Sequence, residues 1–261
     1  MRLATFNILH GQAPADGKVS TERLVAACVS LDADVLCLQE VDRGQARSGM
    51  VDQTAAVAEA MGAVAWRFAP TLVGEPGAVW RAATDDDVPE GDAGYGVALV
   101  SRLPVLAWHV VRLAPAKVRS PVYIPGGGLI LLDDEPRVGL AAEVELPGGD
   151  VLLVASTHLS FVPGWNLAQL RRLTRALAAL SDRCVLLGDL NVPNPFARVG
   201  GWQALVRAAT FPAPRPSMQI DHVLGHGPLP RVVGGEAHLL ALSDHRALTV
   251  DLADGDWGRG D

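Results

Sequence analysis

The chain of 261 residues has no long uninterrupted hydrophobic run. A membrane-spanning helix needs roughly 18 to 20 consecutive apolar residues, and no stretch approaches that length although 49% of the residues are hydrophobic. The start of the chain, Met1 to Ile8, also lacks the basic region, long apolar region and small-residue cleavage site of a secretion signal. The sequence therefore predicts a well-filled core, no membrane span and no export signal.

Cysteine is scarce. The three cysteines, Cys28, Cys37 and Cys184, lie within apolar segments, and their odd number argues against a disulfide framework. Free buried thiols are typical of proteins kept in a reducing compartment. We therefore expect a cytoplasmic protein without disulfides.

Basic residues are fewer than acidic residues. The formal net charge is -7, from 22 basic and 29 acidic residues. Proteins that bind nucleic acid usually carry a basic face or stripe, and the main basic cluster here, Arg171 with Arg172 and Arg175, fits the solvated face of a helix. Bulk DNA is therefore a disfavoured partner.

Two acidic or glycine-rich segments lack the features of known ligand loops. Gly126 to Gly128 have no following helix and no P-loop lysine, so a turn is expected there. Asp85 to Asp87 are contiguous rather than alternating, unlike a calcium-binding EF-hand loop. The aspartates lie in the segment Gly74 to Gly94, and the glycines lie in the segment Arg112 to Pro136. We expect the first segment to be a loop and the second to be a loop or a long hairpin.

The rest of the chain alternates short apolar runs with a few amphipathic stretches, without a repeat. Strands are predicted at Leu3 to Ile8, Val35 to Leu38, Val97 to Val100, Val105 to Val111, Leu140 to Leu146, Val151 to Ala155, Cys184 to Leu187, Val223 to Leu224 and Ala247 to Leu252. Helices are predicted at Thr21 to Leu31, Gln53 to Met61, Asn166 to Leu180 and Trp202 to Ala208.

Many strands and few helices favour two stacked sheets flanked by helices over a doubly wound parallel sheet. The length favours a single domain, which we place at residues 1–253. The Gly- and Asp-rich end, 254–261, is predicted to be a disordered tail.

Polar residues follow four of the apolar runs directly. Asn7, Gln39 with Glu40, Thr157 with His158, and Asp189 with Asn191 each come at the carboxyl end of a run. Asp221 and Asp244, each followed by a histidine, come instead at the start of a run. If those two strands run antiparallel to the others, all six groups share one edge of the sheets, where sites of α/β proteins usually lie.

The residue types in this set indicate a hard metal ion. Asn7, Glu40, Asp189 and Asp244 offer oxygen ligands, and the cysteine and closely spaced histidine pairs of zinc sites are missing. Mg²⁺ is favoured, with Mn²⁺ as the alternative, and such an ion leaves coordination positions for a phosphate oxygen. Two histidines beside carboxylates suggest proton transfer, with water as the nucleophile.

These residues occur in six short motifs: Thr5-Phe6-Asn7, Leu38-Gln39-Glu40-Val41-Asp42, Thr157-His158-Leu159, Gly188-Asp189-Leu190-Asn191, Ile220-Asp221-His222-Val223 and Ser243-Asp244-His245. In this order the motifs resemble those of the endonuclease/exonuclease/phosphatase superfamily, and they span nearly the whole chain. The resemblance implies a four-layered α/β/β/α sandwich of two stacked mixed β-sheets, as in deoxyribonuclease I, and hydrolysis of phosphate esters.

The resemblance also implies a role for each residue. Asn7 and Glu40 match positions that hold the catalytic metal ion, and Asp244 matches an acidic residue near it. Asp189 matches the residue that orients or activates water, while Asn191 and His158 match residues that contact the phosphate. His245 matches a histidine that is paired with the aspartate matched by Asp221.

Four further residues each have an alternative to a role in the site. Arg137, before the Val138 to Leu146 strand, is assigned as a phosphate contact, with a surface salt bridge as its alternative. Tyr95 lies near an active-site tyrosine of some relatives, one residue out of register. His10 either contacts substrate or has no role, and Trp165 either stacks on substrate or packs in the core.

The catalytic motifs define the chemistry but not the leaving group. We expect a divalent-metal-dependent phosphoesterase acting on a phosphodiester or phosphomonoester of a small or medium-sized substrate. One alternative is a nuclease acting on DNA or RNA, which the charge and the acidic loops disfavour. Another is an inactive binding module that retains the fold.

Overall fold

The computed structural model describes residues 1–87, 92–117, 119–124, 128–194 and 196–253, with the backbone alone described for 120–124 and 128–132. The predicted tail, 254–261, and two of the glycines predicted to form a turn, Gly126 and Gly127, lie outside the described residues. Among the described helices none is both long and apolar enough to cross a membrane.

The strands, in chain order, are β1 Arg2–Asn7, β2 Gln12–Ala13, β3 Lys18–Val19, β4 Val35–Arg43, β5 Ala65–Gly74, β6 Trp80–Ala82, β7 Gly94–Ser101, β8 Val105–Leu113, β9 Ser120–Ile124, β10 Gly128–Leu132, β11 Arg137–Glu145, β12 Val151–His158, β13 Cys184–Asp189, β14 Gln203–Ala204, β15 Asp221–His226, β16 Val232–His238 and β17 Ala247–Leu252. The α-helices are α1 Thr21–Ser30, α2 Gln53–Met61 and α3 Trp165–Leu180.

Two large sheets carry the fold. The first sheet has the order β16-β17-β1-β4-β7-β5-β6, and the second has the order β14-β15-β13-β12-β11-β8. Both are mixed, because β1 is parallel to β4 and β12 is parallel to β13 while their other neighbours are antiparallel. The two short strands β2 and β3 form a separate hairpin beside the first sheet.

The layers are held by three hydrophobic clusters. The inner faces of the two sheets pack against each other, with Leu3 from the first sheet and Leu140 from the second in one cluster. The outer face of the first sheet packs against α1 and α2, and that of the second packs against α3. Both faces of each sheet are therefore buried, which explains why the strands read as continuous apolar runs, and the predicted α/β/β/α sandwich is confirmed.

The helices begin where the sequence predicts. Ser20 caps α1 by accepting a hydrogen bond from the Arg23 N–H at 3.2 Å, and Asp52 caps α2 by accepting one from Ala55 at 3.0 Å. Such caps satisfy backbone donors that have no partner within the helix. The exposed face of α3 carries Arg171, Arg172 and Arg175, as expected for a solvated face.

The helix predicted at Trp202 to Ala208 is wrong. This segment instead contains β14 and runs along the edge of the second sheet, paired with β15. Trp202 packs into the cluster under α3, whereas Val206 packs between the two sheets. A helix or a regular strand would place these residues, four apart, on one face; β14 covers only Gln203–Ala204 and the chain bends at Leu205, so Val206 can enter the other layer.

The two segments predicted as loops contain short elements. Within Gly74 to Gly94 the structure has β6 and a 3-10 turn at Asp85–Asp87, where Asp87 accepts two hydrogen bonds from Arg81. Within Arg112 to Pro136 the strands β9 and β10 form an antiparallel hairpin, which is the second of the two expectations for that segment. No strand was predicted for β2, β3, β5, β6, β14 or β16, since their residues do not form uninterrupted apolar runs.

Candidate active site

The strand register gathers the polar residues at one edge of the sandwich. Asn7, the last residue of β1, is opposite Gln39 in the middle of the parallel strand β4, next to its bulge, and His158 is opposite Asp189 at the ends of β12 and β13. Asp221 begins β15 opposite Asp189, because β15 runs antiparallel to β13. The antiparallel directions required of β15 and β17 are thus present.

Beside this edge lies a cleft of about 580 Å³ between the ends of the two sheets. Its lining includes seven of the nine residues that the sequence assigns to the site. The lining members are Glu40, Arg137, His158, Asp189, Asn191, Asp244 and His245. Asn7 and Asp221 are fully covered and lie directly behind them.

Asn7 connects the two sheets at the base of the cleft. Its Nδ2 donates to Glu40 Oε1 at 3.0 Å and to Asp189 Oδ2 at 3.1 Å, and its Oδ1 accepts from the Leu9 N–H at 3.1 Å. One amide group thereby holds a carboxylate of the first sheet and a carboxylate of the second against each other. Asn7 has no exposed surface, so this bridge is fixed by packing on all sides.

Glu40 is aimed into the cleft by a β-bulge. Between Gln39 and Val41 the pairing of β4 with β7 slips by one residue, and Glu40 has a positive φ of 56°. A positive φ is costly for a residue other than glycine and is concentrated at functional sites. The bulge turns the Glu40 side chain out of the regular alternation of the strand, towards Asn7.

Asp189 is held at a close approach of β12 and β13. Gly188 has a φ of 150°, and a Cβ atom there would lie 1.9 Å from the carbonyl oxygen of Thr157. Asp189 Oδ1 accepts from the Asn191 N–H at 3.0 Å. Its Oδ2 lies 3.5 Å from His158 Nε2 and 3.7 Å from His245 Nε2. Asp189 is therefore the centre around which both histidines are placed.

Asn191 faces the same space as His158. Its Nδ2 donates to the Leu159 carbonyl at 3.0 Å and lies 3.3 Å from His158 Nε2. Its own carbonyl accepts from Asn166 Nδ2 at 2.7 Å, which fixes the segment after β13 to the start of α3. Like Glu40, Asn191 has a positive φ, here 50°.

His245 is oriented by Asp221. The His245 Nδ1 lies 2.9 Å from Asp221 Oδ2, and both side chains are buried. Ser243 supports this pair, because its hydroxyl donates to the Asn7 carbonyl at 2.6 Å and accepts from the His245 N–H at 3.1 Å. The ring of Phe211 covers one face of His245 at a centroid distance of 4.9 Å.

The burial of this cluster perturbs its proton affinities. Burial raises the pKa of Glu40, against the hydrogen bond from Asn7, and raises the pKa of Asp189 to about 7, against the positive charge of His245. Burial lowers the pKa of His158 well below its usual value, and the charge of Arg137 adds to that effect. Burial opposes ionisation of His245, but Asp221 and Asp189 together raise its pKa to about 10.

The pKa values of the two histidines are thus shifted in opposite directions. The shift favours the cationic form of His245 beside the carboxyl groups of Asp221 and Asp189, and it favours the neutral form of His158, in which one ring nitrogen can donate and the other can accept a hydrogen bond. The ligand atoms of Asp189, Asp221 and His245 lie within 4.8 Å of one another, a spacing that suits a metal ion as well as a hydrogen-bonded group. Because Asp221 and His245 are already bonded to each other, the hydrogen-bonded pair is the better description of those two.

The buried guanidinium of Arg137 is incompletely hydrogen-bonded. Its side chain is 5% exposed, yet its nearest carboxylates, Asp134 and Glu135, are at 3.8 and 3.9 Å, and its Nε has no hydrogen-bond partner among the described residues. Buried guanidinium groups normally have their donors satisfied. The ion pairs with Asp134 and Glu135 are thus long and involve a buried guanidinium, and Arg137 itself lines the cleft.

Of the remaining three candidates, Tyr95 lines the cleft, whereas His10 and Trp165 do not. Tyr95 lines the cleft with the Arg47 guanidinium 5.4 Å from its ring centroid, and burial raises the pKa of its hydroxyl well above the usual value. His10 is not a lining residue of the cleft, and its carbonyl accepts from Gln53. Trp165 lies outside the cleft and donates from Nε1 to the Ala114 carbonyl at 3.0 Å.

Several lining residues were missed from the sequence: Glu135, Phe161, Pro193, Phe211, Met218 and Ile220. All six lie outside the helices and strands, and all except Ile220 lie outside the motifs. Connections have no periodicity that would predict their position. Ile220 was quoted only as the residue before Asp221.

Comparison with known proteins assigns the chain to a family. The model of the Endonuclease/Exonuclease/phosphatase family matches residues 4–245. A search of curated protein sequences finds no match.

Solved structures share the fold over nearly the whole chain. An endonuclease/exonuclease/phosphatase protein from Beutenbergia cavernae is 25% identical, with 97% of this chain and 71% of that chain covered and a TM-score of 0.66. A mannosyl-6-phosphatase from Bacteroides thetaiotaomicron is 15% identical, with 97% and 99% covered and a TM-score of 0.64.

A variant of the beta toxin of Staphylococcus aureus with bound magnesium ions is 12% identical, with 97% of this chain and 99% of that chain covered and a TM-score of 0.58. The match of the family model, from Ala4, the third residue of β1, to His245, includes all nine residues assigned to the site. The chain therefore belongs to the endonuclease/exonuclease/phosphatase family, whose members are hydrolases that act on phosphate esters.

Proposed function

We propose that this protein is a divalent-metal-dependent hydrolase of a phosphodiester or phosphomonoester in a small or medium-sized substrate. The observation that carries the proposal is the arrangement around Asp189, where carboxylates of both sheets, two histidines whose pKa values are shifted in opposite directions and an arginine with free donors meet in one cleft. Residues 1–253 would act as one domain, since both sheets contribute to this cleft, and the free buried cysteines suit the cytoplasm.

The donor set fits a hard cation. Glu40 and Asp244 offer carboxylate oxygens to the cleft, and Asn7 with Asp189 lies directly beneath Glu40. Mg²⁺ or Mn²⁺ prefers such oxygen ligands, and when bound it would polarise the phosphoryl group and offset the charge of the leaving group. Asn7 could join as a ligand through Oδ1, which here accepts the Leu9 N–H. The magnesium ions of the beta toxin structure are consistent with this proposal.

The side chains of this chain would divide the remaining work. Asp189 would accept a proton from the attacking water and orient it, because its carboxylate is the group that both sheets converge on. His158 and Asn191 would donate hydrogen bonds to the phosphate, and Arg137 would use its free donors for the same oxygens. His245, kept cationic by Asp221, would stabilise negative charge in the transition state.

The test is hydrolysis of bis-p-nitrophenyl phosphate and p-nitrophenyl phosphate by the purified protein, with Mg²⁺, with Mn²⁺ and with EDTA. We expect metal-dependent turnover of at least one substrate by the wild type and by His109→Ala, a histidine on β8 outside the cleft, and its loss in His245→Ala. No turnover by the wild type, or equal turnover by His245→Ala, would contradict the proposal. Cleavage of labelled DNA or RNA under the same conditions would instead favour a nuclease.

A further inference from the structure

Part of the lining of the cleft is apolar. Five lining residues, Phe161, Pro193, Phe211, Met218 and Ile220, form what we call the apolar wall. Met218 is 42% exposed although it is a large hydrophobic side chain, and exposed apolar surface grouped next to polar groups is typical of a ligand-binding site.

The apolar wall is anchored to the proposed catalytic residues. Phe211 and Met218 exchange backbone hydrogen bonds, N–H to carbonyl, at 3.0 Å in both directions, so their segment forms a tight antiparallel bridge. The Ala213 N–H donates to the Asp244 carbonyl at 2.7 Å, which ties this segment to the residue before His245. The contact of the Phe211 ring with His245 places the wall directly beside the position proposed for the phosphate.

The rest of the lining is unsuited to a second anion. Beyond the groups proposed to hold the metal ion and one phosphate, the cleft presents Glu135, whose carboxylate lies 3.9 Å from Arg137. The lining carboxylates outnumber its arginine; they are Glu40, Glu135, Asp189 and Asp244. A substrate with further phosphates would meet uncompensated negative charge.

We propose that the apolar wall is a subsite for an uncharged aromatic group carried on the phosphate of the substrate. The inference rests on the proposed phosphoesterase function and adds the substrate class. Two phenyl rings and a thioether offer the edge and face contacts that aromatic rings prefer. An aromatic group there would bury apolar surface on both sides without needing a polar partner.

The test compares two ligands that differ only in the ring. Phenylphosphonate and methylphosphonate share the anionic group and contain no ester to hydrolyse. In calorimetric titrations of the whole protein with saturating Mg²⁺, we expect phenylphosphonate to bind at least about tenfold more tightly, which corresponds to the burial of part of a phenyl ring. A third ligand, 4-carboxyphenylphosphonate, should bind more weakly than phenylphosphonate because it brings a second negative charge.

Two variants of the apolar wall and one control variant test whether the wall causes the tighter binding of phenylphosphonate. Met218→Ala and Phe161→Ala should each lower the ratio of the two dissociation constants to about threefold or less. Leu106→Ala removes a side chain that is 57% exposed on β8, outside the cleft, and should leave the ratio unchanged. Circular dichroism and thermal melting check that each variant folds. If one wall variant does not fold, the other still provides the test.

The outcomes separate this inference from the function on which it rests. Equal binding of both phosphonates by the wild type, or a ratio unaffected in both wall variants, would overturn the aromatic subsite while leaving the phosphoesterase proposal in place. Tighter binding of 4-carboxyphenylphosphonate would also overturn it, since the subsite would then accept an anion. Binding of neither phosphonate would contradict the proposed function and this inference together.

Discussion

Replacing Glu40 by glutamine removes one negative charge from the cleft while keeping the shape of the side chain. Glutamine retains an Oε1 that can accept the hydrogen bond from Asn7, which Glu40 now accepts at 3.0 Å. The variant therefore keeps the bridge between the sheets and changes little besides the charge offered to a cation. This makes Glu40→Gln a direct test of whether the cleft holds a divalent metal ion.

The size of the effect follows from mass action. A ligand present at about 100 times its dissociation constant stabilises the folded state by about 2.7 kcal/mol. For a chain of this size, each 1 kcal/mol shifts the Tm by about 2–4 °C, so saturating Mg²⁺ should raise the Tm of the wild type by about 5–10 °C. If Glu40→Gln weakens binding by about 100-fold, the same Mg²⁺ concentration stabilises it by only about 0.4 kcal/mol and moves its Tm by about 2 °C or less.

Without metal, Glu40→Gln should be no less stable than the wild type. Glu40 shares the Asn7 amide with Asp189 and feels the negative charge of Asp244. Replacing it by a neutral amide relieves repulsion between like charges. In EDTA we therefore expect the Tm of Glu40→Gln to equal or exceed that of the wild type, although its activity is lost.

The assay is thermal unfolding followed by circular dichroism, for each protein in EDTA and in saturating Mg²⁺. Glu143→Gln serves as the matched control, because Glu143 is a half-exposed glutamate on β11 that pairs with His109 outside the cleft. A wild-type Mg²⁺ shift in Glu40→Gln would refute the assignment of Glu40 as a ligand. Absence of any shift in the wild type, with Mg²⁺ or Mn²⁺, would refute the metal site itself.

Three other substitutions test single contacts. Asp221→Asn removes the charge that keeps His245 cationic, and a lost hydrogen bond to a charged group should lower kcat/KM about 10- to 100-fold without unfolding the protein; unchanged kinetics would contradict that pairing. Gly188→Ala puts a Cβ atom 1.9 Å from the Thr157 carbonyl oxygen, so urea unfolding should show a loss of about 2 kcal/mol or more, and a loss below about 0.5 kcal/mol would show that the strands can separate freely. Arg137→Lys replaces a planar fork by a point charge and should raise KM about tenfold with a smaller change in kcat; an unchanged KM would mean that Arg137 does not contact the substrate.

The sequence was informative wherever a polar residue ended or began an apolar run. Asn7, His158 and Asp189 occupy strand ends because ionisable and amide groups are costly inside a sheet buried on both faces. Once the directions of the strands are known, those ends must meet, and they do. This is why the layers of the fold and the polar part of the candidate site could be predicted without any knowledge of side-chain contacts.

Other features depend on backbone geometry that leaves no mark in the pattern. The bulge at Glu40 is one extra residue opposite β7, and nothing in Gln39-Glu40-Val41 distinguishes it from a regular strand. The segment after Trp202 has apolar residues at helical spacing, yet it does not form a helix, since Trp202 and Val206 pack in different layers. The same limit hid Phe211 and Met218, whose pairing brings apolar side chains from a connection to the cleft.

A buried polar chain shows why the two sheets can share one site. The Thr5 hydroxyl donates to Gln39 Oε1 at 3.1 Å, Gln39 Nε2 donates to Ser156 Oγ at 3.2 Å, and the Ser156 hydroxyl donates to the Leu38 carbonyl at 3.4 Å. Apolar packing between sheets is not directional and would tolerate sliding. Hydrogen bonds in a dry interior are lost at a cost of about 1–3 kcal/mol each if the partners separate, so this chain, directly behind Glu40, sets the relative position of the sheets and with it the distance between Glu40 and Asp189.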